Sequence, residues 1–143
     1  MSWKKVATSR SLGEKAFIGA LIEEGKEPKY FIIPKKLNYS NMQKLIGILQ
    51  KTGVSASDKE LTNAELEQAS TEANNDFEKM LPALKIAFLT GTHDHNFDDD
   101  EGTKLSWNED LFNATLEFPE VLLEIFKIVM EQNRPLQDKT SKK

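Results

Sequence analysis

The sequence contains no cysteine, so disulfide bonds, thiolate nucleophiles and thiolate metal ligands are excluded. It lacks the G-x-S-x-G pattern of serine hydrolases, and its seven glycines are scattered instead of forming a phosphate-binding loop. Its two histidines, His93 and His95, lie in one polar stretch without an obvious catalytic partner. These absences predict a protein that is not an enzyme and that holds no cofactor.

Long apolar runs are also missing. No window reaches the length of a transmembrane helix, and residues 1–15 lack the apolar core of a signal peptide. The net charge of −4 argues against general nucleic-acid binding, which requires a cationic surface to displace counterions. We therefore expect a cytoplasmic protein that binds neither membranes nor nucleic acids.

Charge is distributed unevenly along the chain. Residues 1–36 contain eight basic and four acidic side chains, whereas residues 56–80 contain two basic and seven acidic ones. Residues 93–101 add five acidic side chains and no lysine or arginine. Solvated surface segments are the simplest interpretation. The alternative is a surface with separated charges that orients subunits or attracts a basic partner.

Residues 16–34 are predicted to form a β-hairpin. An apolar stretch, AFIGALI, is followed by the turn-like EEGKEP and by Tyr30–Ile33, which are strong strand formers. Pro34 is expected to end the second strand. A short helix over residues 16–25 is the alternative for the first half. Because an isolated hairpin is marginally stable, this one is expected to pack against the rest of the domain.

Two helices are predicted from capping patterns followed by apolar periodicity. Ser40, followed three residues later by glutamine, precedes a helix over residues 41–51. Ser106, followed three residues later by glutamate, precedes a short helix over residues 107–116 with its apolar side chains inward.

A longer helical segment lies between these two. Thr62 and Glu65 match a capping box, and an apolar stripe of helical spacing runs from there to Gly91. Pro82 lies within this stripe. Either one long helix kinks at the proline or a second helix begins there.

The densest apolar stretch, from Phe118 to Asn133, predicts a further helix that Pro119 opens at its first position. Its apolar residues recur with helical spacing at Leu122, Ile125, Phe126 and Val129. Further apolar residues widen this face to most of the circumference. A helix of this kind is either buried in a core or covered by a partner.

Together these elements predict a predominantly α-helical α+β fold, in which a small N-terminal β-hairpin packs on a bundle of about four helices. Residues 1–133 are expected to form one domain, with the hairpin at about 16–34 and the helical part at about 40–133. Residues 134–143 lack apolar periodicity and are expected to form a disordered tail.

The polar stretch His93–Glu101 contains the only cluster of metal-ligand residue types. As a calcium-binding loop it fails, because Asp99 stands where glycine is needed and Leu105 where the bidentate glutamate should be. It also shares two histidines with the HxHxDH pattern of metallo-β-lactamase-type hydrolases, but the chain has no third histidine. We predict an exposed acidic loop across 91–104 and no metal site, with adventitious metal binding as the alternative.

The segment WNEDLFNATLEFPEVLLEIFKIVMEQN, residues 107–133, resembles the C-terminal region of tail assembly chaperones of long-tailed bacteriophages, especially those that infect Gram-positive bacteria. The plan of residues 20–133 is also similar, since an extended N-terminal part precedes helices in an acidic chain without cysteine. In this family a proline commonly opens a last apolar helix, as Pro119 does here. The HDHNFDDDEG segment is not a feature that we associate with the family.

The resemblance implies a function without catalysis. Such chaperones hold the long, helical, aggregation-prone tape measure protein soluble while the tail tube polymerises around it. Many self-associate, and many are also made in a longer, frameshifted form that recruits tail tube protein. For this chain it implies binding to tape measure protein in the host cytoplasm, homo-oligomers, contact with tail tube protein through a longer form, and absence from the mature virion.

The family supplies no defined site residue, so the candidate binding residues come from the amphipathic pattern alone. The candidate partner-binding residues are Leu122, Ile125, Phe126, Val129, Trp107 and Phe112. We expect them to pack against apolar stripes of the tape measure protein or against a second copy of the chain. The alternative function is that of an acidic helical inhibitor or adaptor that caps a single folded partner.

Overall fold

A computed structural model describes residues 12–53 and 62–133 of the chain. The expected disordered tail at 134–143 lies outside the described residues. Within the described ranges the fold contains five α-helices and a three-stranded antiparallel sheet, which confirms a predominantly helical α+β class. No helix in these ranges is long and apolar enough to cross a membrane.

The predicted hairpin forms, with a short first strand. Strand β1, Ala16–Phe17, pairs antiparallel with β2, Phe31–Pro34, so that Ala16 lies opposite Ile32. The apolar stretch after β1 turns into a 3-10 helix at Gly19–Leu21 instead of extending the strand. The hairpin interpretation is therefore confirmed, and the helical alternative holds only for this single turn.

A third strand, β3 at Thr92–His95, lies in the segment predicted as a polar loop, so that prediction was wrong there. It pairs antiparallel with β2, giving the strand order β1-β2-β3, and a register shift occurs between Ile33 and Pro34. Only Thr92 and His95 of β3 are buried, and both are polar. The strand therefore lacks the apolar alternation that marks a half-buried strand in a sequence.

The first two helices confirm the predicted elements but correct one cap. Helix α1 spans Tyr39–Lys51, and its N-cap is Asn38, whose side chain accepts a hydrogen bond from the Asn41 N–H. The capping box predicted at Ser40 is therefore wrong by two residues. Helix α2 spans Asn63–Asn75 and begins with the predicted capping box, in which each side chain accepts from the other residue's backbone N–H.

Pro82 lies in a new helix. Helix α2 ends at Asn75, a short turn follows, and α3 spans Leu81–Thr90 with Pro82 in its first turn. A proline there loses no hydrogen bond, because the first N–H groups of a helix have no intrahelical acceptor. Gly91 ends α3, as predicted, and a Cβ at this position would collide with the Val129 side chain.

The last two helices also lie close to their predicted positions. Helix α4, Glu109–Thr115, is capped by the Asn108 side chain, which accepts from the Leu111 N–H, so the capping box predicted at Ser106 is wrong. Helix α5, Pro119–Gln132, begins at the predicted proline. It packs against α2, α3, α4, the 3-10 turn and β2, and is the centre of the fold.

Candidate interaction surface

The predicted partner-binding face of α5 lies inside the molecule. Its four residues are each at most 1% exposed: Leu122, Ile125, Phe126 and Val129. They belong to one cluster of buried apolar side chains that extends from the sheet through all five helices. The prediction of a partner role stays untested, but in this fold these side chains offer no surface that another molecule could contact.

Trp107 and Phe112 also pack within the chain, on either side of Phe88. The Trp107 ring stacks on Phe88 with centroids 4.3 Å apart, and its Nε1–H donates to the Phe88 carbonyl oxygen at 2.6 Å. The Phe112 ring meets Phe88 edge to face at 5.4 Å. Phe112 is buried and Trp107 is half-buried, so this pair mainly fixes the 97–112 segment on α3.

The two histidines of the polar segment have different environments. His93 is exposed, whereas His95 is 6% exposed, packs 4.7 Å from the Trp107 ring, and accepts a hydrogen bond at Nδ1 from the Phe97 N–H at 3.0 Å. Burial lowers the pKa of His95 below 6.5 because desolvation penalises the charged imidazolium, and the Lys104 ammonium lowers that pKa further. His95 is therefore a neutral core residue.

The carboxylates of this segment are used for local structure. Asp94 pairs with Lys104 at 2.8 Å, which lowers the pKa of the Asp94 carboxyl. Asp99 Oδ1 accepts from the backbone N–H groups of Glu101 and Thr103 and closes the turn. No group of three or more metal-ligand side chains forms in the described parts of the chain. The geometry thus accounts for these residues as turn and strand components.

Glu124 links the hairpin to α5 through hydrogen bonds. Its carboxylate accepts two backbone hydrogen bonds from the 3-10 turn, from Gly19 N–H at 2.6 Å and from Ala20 N–H at 2.9 Å. A charged acceptor strengthens both bonds. These bonds add to the apolar packing of the hairpin's inner face, where Ile18 and Ile32 are almost fully buried in the core.

The opposite face of the sheet is apolar on β1 and β2, whereas β3 contributes the exposed Asp94 opposite Ile33. Side chains alternate along β2, so that Ile32 points into the core and Phe31 and Ile33 point away from it, half-buried. Phe17, directly opposite Phe31 on β1, is 46% exposed and meets that ring edge to face at 5.7 Å. We call Phe17, Phe31 and Ile33 the outer sheet face.

Other exposed features are less suited to hold a partner. Tyr39 and Phe118, at 73% and 59% exposure, are large hydrophobic side chains at the starts of two helices. A cleft of about 350 Å³ lies between α2 and α5, but its two apolar lining residues, Leu66 and Met130, are already buried and the rest of its lining is polar. The outer sheet face is the surface on which exposed apolar residues are grouped.

The sequence carries a signal for this face, which the predicted partner-binding residues do not include. Within YFII, only one of the two alternating sets can face the core, so the other set had to be exposed or covered by another molecule.

No protein-family model matches the sequence, and no curated protein or solved structure matches it either.

Proposed function

We propose that this chain is a non-enzymatic tail assembly chaperone that binds the phage tape measure protein and keeps it soluble in the host cytoplasm during tail tube assembly. The observation that carries the proposal is the C-terminal segment, in which a short helix, α4, is followed by a proline-opened apolar helix, α5. This is the pattern on which the resemblance to tail assembly chaperones rests.

The structure adds a compatible surface to this pattern. The apolar face of α5 is used by the chain's own core, so a partner has to bind elsewhere, and the outer sheet face groups exposed apolar side chains. Contacts of this kind, repeated by several copies along one long helical partner, give avidity without a tight single site. Self-association and recruitment of tail tube protein by a longer form belong to the same proposal.

The alternative function is an inhibitor or adaptor that caps one folded partner. A single small apolar face fits this role as well, and the two functions differ in stoichiometry. Co-expression with the longest helical reading frame beside the gene, followed by size-exclusion chromatography with light scattering, distinguishes them. The chaperone role predicts a soluble complex with several copies of this chain per partner, whereas a one-to-one complex supports the adaptor. A partner that stays insoluble beside a free monomer contradicts the chaperone role.

A further inference from the structure

On β1 and β2 the outer sheet face is apolar at positions where a solvent-facing antiparallel sheet normally carries polar side chains. On β3 the exposed Asp94 lies opposite Ile33, and its carboxylate pairs with Lys104 at 2.8 Å. Phe17, Phe31 and Ile33 occupy neighbouring outward positions on β1 and β2, and Phe17 is the most exposed of them. Its ring contacts Phe31, and 46% of the residue stays exposed. An exposed aromatic side chain beside half-buried apolar neighbours is typical of an interaction site.

Positive charge lies beside the aromatic rings. The Lys15 ammonium stands 4.7 Å from the centroid of Phe31, and the Lys29 ammonium stands 5.0 Å from the centroid of Tyr30. Lys29 has a distant carboxylate partner, Asp98 at 3.9 Å, but Lys15 has no ion-pair partner within the described ranges. Lys15 is therefore a cation beside the outer sheet face on a chain whose net charge is −4, whereas Lys29 lies over Tyr30, outside that face.

The size of the sheet suits one helix. Three strands are separated by two spacings of about 4.8 Å, so the sheet is roughly 10 Å wide, which is close to the diameter of an α-helix with its side chains. Strands of two to four residues are too short to support a second packed sheet. A helix laid on this face buries its apolar stripe on Phe17, Phe31 and Ile33 and brings one flank near Lys15.

We propose that the outer sheet face binds an amphipathic helix whose apolar stripe is flanked by carboxylates. The inference rests on the proposed function in one respect only, because it identifies this helix with a segment of the tape measure protein. The chemistry of the recognised segment follows from the face itself: apolar side chains for Phe17, Phe31 and Ile33, and a carboxylate for Lys15.

The test uses two fluorescein-labelled synthetic helices of about 20 residues, long enough to be partly helical alone. Both carry the same leucine stripe, but one has glutamate flanks and the other lysine flanks. Fluorescence anisotropy with the full-length chain measures binding. We expect the glutamate-flanked helix to bind about threefold more tightly or better, as for exposed ion pairs. We also expect Lys15→Glu to reverse this preference.

Phe17→Ser and Phe118→Ser form a matched pair, because both remove an exposed phenylalanine and only one of them lies on the outer sheet face. Phe17→Ser should weaken binding of the glutamate-flanked helix by about tenfold, as for loss of a central aromatic anchor, and Phe118→Ser should leave it unchanged. Circular dichroism of both variants confirms that they are folded.

Three results overturn the inference. The first is that Phe17→Ser binds the glutamate-flanked helix as tightly as the unchanged chain, and the second is that Phe118→Ser weakens this binding as much as Phe17→Ser does. The third is that the chain forms a dimer that Phe17→Ser dissociates. The last assigns the face to a second copy. Because the synthetic helices need no phage partner, these results do not depend on the proposed function. Co-expression of Phe17→Ser with the tape measure candidate then connects the binding site with the proposed function. If the unchanged chain solubilises the candidate and Phe17→Ser does so equally well, the proposed function stands and this site is rejected.

Discussion

At the scale of single residues, burial changes the meaning of side chains that look functional in the sequence. His95 resembles half of a metal-binding pair, yet it is a neutral imidazole packed against Trp107 and Phe97. Its neighbour His93 is exposed. Regular alternation would place both histidines on one face of β3. The register shift between the pairs Ile33–Asp94 and Pro34–Thr92 falls at His93, so only His95 lies opposite the inward-facing Ile32.

His95 makes stability dependent on pH. Its folded-state pKa lies below the 6.5 of an unfolded histidine, mainly because burial disfavours the charge, so the unfolded chain binds more protons as pH falls. The contribution of neutral His95 to the free energy of unfolding is therefore complete above pH 6.5 and is lost as pH falls from 6.5 through the lowered pKa. His95→Asn, which keeps an acceptor near the Phe97 N–H, should remove this loss.

Urea denaturation at pH 7.5 and at pH 5.5 measures the effect, with His93→Asn as the control. The control should lose stability with falling pH as the unchanged chain does. If His95→Asn and His93→Asn show the same pH dependence, then His95 does not carry it. Asp94 cannot produce the effect in this range, because its pKa is lowered from 3.8.

At the scale of elements, a single side chain adds a polar link between the hairpin and the helical core. β1 contains only two residues and cannot hold the hairpin by its own ladder. The Glu124 carboxylate supplies two further hydrogen bonds to the 3-10 turn. Glu124→Gln keeps one oxygen acceptor and loses the charge, so one of the two N–H groups loses its partner. We expect a loss of about 1 kcal/mol in the free energy of unfolding.

Hydrogen exchange gives the sharper readout for this substitution. The Gly19 and Ala20 amides should exchange faster in Glu124→Gln, while the amides of α3 stay protected. Glu120→Gln is the matched control, because it makes the same change one turn earlier on α5 and should alter stability only through the helix dipole, by about 0.5 kcal/mol. Unchanged exchange at Gly19 and Ala20 would show that the Glu124 carboxylate does not protect the amides of the 3-10 turn.

At the scale of the whole molecule, α5 is the helix against which most of the other elements pack. Phe126 is 1% exposed, so Phe126→Asp leaves a charge without a partner and a cavity in the interior. The cost should be at least about 4 kcal/mol, which is enough to unfold a marginally stable domain. Far-UV circular dichroism should report loss of helix at 25 °C.

Phe118→Asp is the control for this prediction, since it introduces the same charge at the N-cap of the same helix. That residue is 59% exposed and makes no side-chain cap, and aspartate is a favoured N-cap, so the variant should stay folded with equal or greater stability. If Phe126→Asp instead stayed folded and only failed to bind a partner, the apolar face of α5 would again be a candidate binding surface.

Much of the fold could be read from local patterns. The Thr62–Glu65 capping box, the proline that opens α5 and the β-forming run before Pro34 each act over a few residues, and each lies where the sequence predicted it. The caps of α1 and α4 were misplaced by two residues because Ser40 and Asn38, like Ser106 and Asn108, are alternative caps for the same apolar stripe. Local energies do not separate such alternatives.

The sequence by itself determined the helical α+β class, the order of the helices and the boundary of α5, because capping, turn formation and apolar periodicity depend on residues close together in the chain. Only the tertiary structure decided that the apolar face of α5 is core, that Pro82 begins a new helix, that a polar segment becomes β3, and that Phe17 and Phe31 remain outside. Those outcomes depend on which distant surfaces meet, and periodicity cannot distinguish an apolar face buried by its own chain from one left for another molecule.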